Sequence, residues 1–328
     1  MDVSPSATAA PTVAGDDSAV PVPRYAYLGP QGTFTEMALR SWRPADGADH
    51  VPMGSVDAAL AALRAGDVDA AMVPIENSVE GGVSATLDAL ANGEPLVVVG
   101  EVLVPITFVL AAPAGTPLAS IRSVGTHPHA WAQVRGWMGV HLPAATYVPA
   151  LSTAAGAAGL AAGDVSYDAA VCAPVAAQDH GLAVLAEGIG DNASAVTRFV
   201  LVSRPGVVPE PTGTDKTTVV LFQTDDHPGG LLELLEQFAA RGVNLSRLES
   251  RPTGESLGRY CFSIDFEGHV ADQRVGEALM GLRRVCAEVR FLGSYPRADG
   301  TAVTIRPGTD DGAFLEAREW LSSLRHPD

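Results

Sequence analysis

Two stretches of this chain repeat one another, and that repetition narrows the folds open to it more than any other feature. Ser55 to Gly66, then Asp67 and the run Asp69, Ala70, Ala71, is echoed by Ser152 to Gly163, then Asp164 and the run Asp168, Ala169, Ala170; both continue to a proline, Pro74 and Pro174. In each copy a serine opens a helical pattern and a glycine closes it, as an N-cap hydroxyl and a left-handed C-terminal turn require. A short apolar strand follows. The same helix and strand in the same order predict two similar α/β lobes with a cleft between them.

The segments around the echo supply polar groups at strand ends, where open α/β sheets collect ligands. Tyr25 to Leu28 reads as a strand, Gly29 to Gly32 as a turn, and Thr33 to Trp42 as a helix whose Thr33 and Glu36 have capping-box spacing. Free N–H groups at such a helix start attract carboxylates or phosphates, so Gly32 and Thr33 are candidate binding residues. The turn is not a Walker loop, lacking Gly-Lys-Ser/Thr, nor a dinucleotide fingerprint, lacking the third glycine. The strand from Asp69 to Pro74 runs out into Glu76, Asn77 and Ser78, an acid, an amide and a hydroxyl. Pro95 to Pro113 reads as two buried strands, because Gly100, Glu101 and Pro105 interrupt its apolar run. Thr126 and His127 precede Pro128 at a first-turn position and a helix from His129 to Met138; Ser152 and Thr153 open the second copy of the repeat.

From Asp191 to Val202 a polar turn passes directly into a strand containing Thr197, Arg198 and Phe199. Strand alternation puts Thr197 and Phe199 on one face and Arg198 on the other.

Charge and composition exclude several function classes. A net charge of −17 and a pI near 4.7 argue against nucleic acid or an anionic membrane as partner. Lys216 is the sole lysine, read here as having no nearby partner, which disfavours Schiff-base chemistry; no cofactor is expected. Cys172, Cys261 and Cys286 are widely spaced in apolar runs, and His127 and His129 have no adjacent carboxylate or cysteine, so no metal is expected. A reducing, cytoplasmic setting fits. Residues 1–23, rich in Ala, Pro, Ser and Thr, read as a disordered tail.

Five stretches, in order, resemble the prephenate dehydratase family: LGPQGTFTE at Leu28 to Glu36, VPIENSVEGGV at Val73 to Val83, GTHPHAWAQ at Gly125 to Gln133, LSTAAGAA at Leu151 to Ala158, and DNASAVTRF at Asp191 to Phe199. The resemblance implies a catalytic domain over 24–204 with the two-lobed fold of type II periplasmic binding proteins, lobe one over about 24–102 and 188–204 and lobe two over about 103–187. It implies decarboxylative dehydration of prephenate to phenylpyruvate in phenylalanine biosynthesis. Thr197, Arg198, Phe199, Glu76, Asn77 and Ser78 are then the catalytic candidates, and Gly32, Thr33, Thr126, His127, Ser152 and Thr153 the substrate-binding ones. Many relatives carry Asn where this chain has Ala195, so that amide is absent or replaced by Asn192 or Ser194. Arogenate dehydratase differs only in its substrate's amine, and a carboxylate-binding sensor that merely closes is a non-catalytic alternative.

Arg204 to Asp215 is a proline-rich linker, taken as 205–215 between domains. Beyond it the order strand, helix, strand, strand, helix, strand over 216–296 is α+β and ferredoxin-like. HPGGLLELL at His227 to Leu235 and LESRP at Leu248 to Pro252 resemble the ACT regulatory domain of these dehydratases. That likeness implies a phenylalanine site at His227, Pro228, Gly229, Gly230, Leu231, Glu249, Ser250, Arg251 and Pro252, formed between subunits of a homodimer or homotetramer joined through these domains. Residues 297–328 read as a tail with a short amphipathic helix from Asp311 to Leu324.

Overall fold

Three sheets carry the chain, and the computed structural model describes residues 22–254 and 259–326. Residues 1–21 of the expected tail, 257 and 258 of the expected strand from Leu257, and 327 and 328 lie outside the described residues.

The first lobe contains β1 (Arg24–Leu28), α1 (Phe34–Ser41), β2 (Asp49–Met53), α2 (Val56–Ala65), β3 (Ala70–Asn77), β4 (Gly81–Gly82), α3 (Ser84–Ala91) and β5 (Val97–Pro105). The second contains β6 (Val109–Ala112), β7 (Ser123–Thr126), α4 (Pro128–Ala132), α5 (Arg135–His141), β8 (Thr146–Pro149), α6 (Thr153–Ala162), β9 (Ala169–Cys172), α7 (Pro174–Asp179) and β10 (Ala183–Ala186). The chain then returns along β11 (Val196–Ser203), which inserts between β3 and β5. The sheets run β2-β1-β3-β11-β5 and β10-β6-β9-β7-β8. β5 stays in the first sheet to Pro105, past the crossover expected at residues 102 and 103.

The repeat is structural as well as textual. Ser55 and Ser152 accept the N–H groups of Ala58 and Ala155 at 3.0 and 2.9 Å, and Gly66 and Gly163 end their helices in the left-handed region at φ of 83° and 74°. Asp69 and Asp168 each accept a backbone N–H at the start of the neighbouring strand, from Arg24 and Arg122. The helix expected from His129 to Met138 is broken after Ala132. There Asp191 reaches across to accept the N–H groups of Gly136 and Trp137 at 2.8 and 3.0 Å, starting a second helix with an external cap.

Alternation along β11 divides the first sheet's two cores. Phe199 and Leu201 join Tyr27, Met72 and residues of the second lobe on the front, while Val200 and Val202 pack with α2, α3 and the C-terminal domain at the rear.

That domain comprises β12 (Asp215–Gln223), α8 (Gly230–Ala239), β13 (Leu245–Pro252), β14 (Tyr260–Glu267), α9 (Gln273–Val285) and β15 (Cys286–Pro296). Its strand order β13-β14-β12-β15 is ferredoxin-like, with Leu234, Phe238, Val275 and Leu282 packed under the helices. The opposite face puts Val220, Cys261, Leu292 and Tyr295 into the rear core of the first lobe. α10 (Asp311–Arg325) lies on α9, where Asp311 accepts the N–H of Gln273 and Arg318 pairs with Glu277, both at 2.8 Å.

Lys216 differs from expectation. Its ammonium, largely buried at the seam between the domains, contacts both carboxylate oxygens of Glu101 at 2.9 and 3.1 Å. The partner was invisible locally because it lies on β5.

Candidate active site

The end of β3 and the start of β11 meet at the front of the first sheet, under a cleft of about 360 Å³ shared with the second lobe. Their pairing is irregular: Thr197 opposes Asn77 and Arg198 opposes Glu76, but Phe199 opposes Pro74, leaving Ile75 as an extra residue. Such a bulge changes which face the following side chains take. Pro74, Asn77, Thr197 and Phe199 all line the cleft, whereas Ile75 lies in the rear core and Glu76 pairs with Arg198.

Asn77 is held by two backbone groups, since the N–H groups of Val79 and Glu80 donate to its Oδ1 at 2.8 and 3.3 Å. Its Nδ2 then donates to Thr197 Oγ1 at 2.7 Å. With one lone pair engaged, the threonine hydroxyl keeps its proton for a group in the cleft.

The second lobe brings His127, His129, Gln133, Ser152 and Thr153 to the same cleft. The His129 N–H donates to His127 Nδ1 at 3.3 Å, which assigns the neutral ring a proton on Nε2. Burial, and then the neighbouring His129, push His127 below the usual imidazole range despite Glu80, so its neutral form is favoured. Glu80, from the loop after β3, contacts His129 Nδ1 at 2.6 Å and so bridges the lobes. Two helix starts open on the cleft from opposite sides, through Phe34 and Thr35 of α1 and Thr153 of α6. The N–H groups of Glu36 and Ala155 are taken by the capping hydroxyls of Thr33 and Ser152, and those ahead of them in each first turn suit carboxylates. Phe34 and Phe108 meet edge to face across the wall, with centroids 5.8 Å apart.

Several candidates lie elsewhere. The N–H of Gly32 donates to the buried carboxylate of Glu36 at 2.6 Å, so an internal anion takes the place expected for a ligand. Thr126 is fully buried and donates to the Val171 carbonyl at 2.8 Å; the pleat turns it into the second lobe while His127 faces the cleft. Ser78 accepts the Val196 N–H at 3.0 Å, tying the loop to β11 instead of lining the cleft. Asn192 and Ser194 bond to each other, and neither lines the cleft in place of an amide at Ala195.

Arg198 and Glu76 require the largest revision. The Arg198 guanidinium points to the rear, with Nη1 3.0 Å from Glu101, Nη2 bonded to Asp265, and Nε 3.2 Å from Glu76 though not aligned for a hydrogen bond. Burial opposes its charge, but Asp265 and then Tyr295, Glu101 and Glu76 hold its pKa well above the usual value. It therefore cannot reach a carboxylate in the cleft. Gln133 and Phe108 line the cleft without having been singled out; Gln133 closes the GTHPHAWAQ stretch, which was its only signal.

The proposed phenylalanine residues gather at one end of the C-terminal sheet, where Arg251 opposes Cys261 and Cys261 opposes Phe222. Gly229, at φ of 91°, starts α8, and the ring of His227 lies 3.2 Å from Glu233. Glu249 and Arg251 face the first lobe of their own chain. Glu249 accepts the Gly82 N–H at 3.1 Å, and Arg251 forms a two-pronged pair with Asp88 at 2.8 and 2.9 Å.

A family model for prephenate dehydratase matches residues 25–206, and one for the ACT domain matches residues 218–284. The chain belongs to the prephenate dehydratase family. A prephenate dehydratase of Amycolatopsis methanolica is 50% identical over 303 residues, covering 92% of this chain and 98% of that protein. The crystal structure of prephenate dehydratase in complex with L-Phe from Arthrobacter aurescens has a TM-score of 0.88 at 58% identity, covering 92% of this chain and 99% of that one. A structure described as GqqA, a novel type of quorum quenching acylases, has a TM-score of 0.74 at 31% identity, covering 83% and 97%. The chain couples a dehydratase domain to an ACT domain.

Proposed function

We propose that the chain converts prephenate to phenylpyruvate, with Thr197 assisting departure of the ring hydroxyl. The observation that carries this reading is the Asn77 to Thr197 hydrogen bond, which leaves the threonine proton free to point into the cleft. As the carbon–carbon bond to the departing carboxylate breaks, its electrons enter the ring and carbon dioxide is released; the carbon–oxygen bond breaks with its electrons on hydroxide, which takes a proton from solvent to become water. Threonine is too weak an acid to supply that proton outright, so its part is a hydrogen bond that strengthens as charge develops on oxygen, worth about 100-fold or more. The helix start at Thr153 holds the retained carboxylate, since the Glu36 carboxylate already occupies the turn leading into α1. The departing one is best left weakly bound, because tight pairing would stabilise the ground state.

The 50% and 58% identities to dehydratases favour this reaction over the activity of the acylase-described relative. The enzyme acts in the cytoplasm, as a homo-oligomer assembled through ACT domains, and phenylalanine binds at His227–Leu231 and Glu249–Pro252 to lower turnover. The outer edge of β13, unpaired among the described residues, and the L-Phe complex of the Arthrobacter aurescens relative support that arrangement. The test is to assay purified protein with prephenate and with arogenate, with and without phenylalanine. Phenylpyruvate formed from prephenate and suppressed by phenylalanine is expected; turnover of arogenate alone, or of neither, rejects the assignment.

A further inference from the structure

We propose that Asp265 of the C-terminal domain is a positioning residue for the dehydration, acting through Arg198 to keep Thr197 against Asn77. The inference rests on the reading of the cleft given above. Arg198 is the next residue after Thr197 and lies where the register between β11 and β3 slips by one. A bulge leaves its extra residue outside the ladder and re-aims the neighbouring side chains, so their contacts hold it in place. Here Ile75 is satisfied by the rear core and Glu76 by Arg198, so the position of the guanidinium bears on the residue next to Asn77.

Three carboxylates hold that guanidinium. Glu76 and Glu101 belong to the two strands flanking β11, whereas Asp265 comes from the C-terminal sheet and is completely buried. Asp265 is itself fixed by Thr218 at 2.9 Å and by Arg247 at 2.8 and 3.0 Å. Lys216 fixes Glu101, so the cluster balances Arg198, Arg247 and Lys216 against Glu76, Glu101 and Asp265. Without the Asp265 charge the guanidinium is left to Glu101 and to Glu76, whose side chain is 37% exposed and free to follow it. A shift of Glu76 moves the bulge, and with it the donor that orients the Thr197 hydroxyl.

Interdomain adhesion alone would also bury these charges, so the test must separate the two roles. Prephenate turnover is measured on the full chain for the parent, Asp265→Asn, Arg198→Gln and the double variant, using only protein that melts cooperatively. Asp265→Asn should lower kcat about 10-fold or more while KM stays within about threefold, and the double variant should be no slower than Arg198→Gln alone. An Asp265→Asn kcat within about twofold of the parent, or a loss that multiplies with that of Arg198→Gln, overturns the proposal. Should Asp265→Asn not fold, Thr218→Val removes the hydroxyl that holds Asp265 without removing a charge. It should lower kcat about threefold or more at unchanged KM, and an unchanged kcat is again decisive against the proposal. An inactive parent would instead reject the functional reading itself.

Discussion

Asn77 donates to the hydroxyl of Thr197 across 2.7 Å, and the direction of that bond is set because the other end of the amide already accepts two backbone N–H groups. The threonine proton is thereby left for the cleft. Replacing Thr197 with Ala should reduce kcat by about 100-fold or more with little change in melting temperature, while Thr197→Ser, which keeps the hydroxyl, should stay within about 10-fold of the parent. Steady-state kinetics with prephenate checks both.

Asn77→Asp tests the direction of the same bond. A carboxylate cannot donate, so the Thr197 hydroxyl would turn towards it and away from the substrate. A fall in kcat of about 10- to 100-fold is expected, at least as large as that of Asn77→Ala. An aspartate variant faster than the alanine variant would show that the orientation of the hydroxyl is unimportant.

At the seam between domains, a Cβ on Gly82 would stand 2.8 Å from the Glu249 carboxylate and 2.9 Å from Leu87. Gly82→Ala should therefore destabilise the chain by about 1–3 kcal/mol. Adding Glu249→Ala should recover part of that loss by removing one of the two obstructions, which a thermal-melt double-mutant cycle measures.

Asp265 governs acid stability. Burial would raise its pKa, but Arg198, Arg247 and Lys216 hold it far below the usual carboxylate range. The folded value lies below the unfolded one of about 4, so this contribution is complete above about pH 4 and is lost as pH falls further towards the folded value. At neutral pH Asp265→Asn should cost about 3–5 kcal/mol, because it leaves buried guanidinium charge uncompensated. The gap in melting temperature between parent and variant should narrow below about pH 4. A gap constant down to pH 3 would contradict the assignment.

Much of this architecture was legible in the chain because local chemistry dictates it. Ser55, Ser152, Gly66 and Gly163 mark their helix ends by capping and left-handed geometry alone, and the alternation of β11 already sent Arg198 away from Thr197. Family resemblance nevertheless grouped Arg198 and Glu76 with the residues of the cleft, since a motif records which residues are adjacent and not which face they take. The bulge at Ile75 could not be read, because an extra residue within an apolar strand has no compositional mark. The ion cluster was hidden for another reason: Glu101, Lys216, Arg247 and Asp265 stand on different strands, and only docking of the two sheets assembles them. Thr126 and His127 show the smallest such gap, a single step of the pleat separating a structural hydroxyl from a cleft-lining imidazole.

The burial of Lys216 gives the folded chain a surface without lysine amines. An acylating label aimed at ε-amino groups can then react there only when the C-terminal sheet lifts from the first lobe. The rate at which that one site is tagged becomes an internal clock for interdomain opening, and any ligand that holds the halves together should slow it.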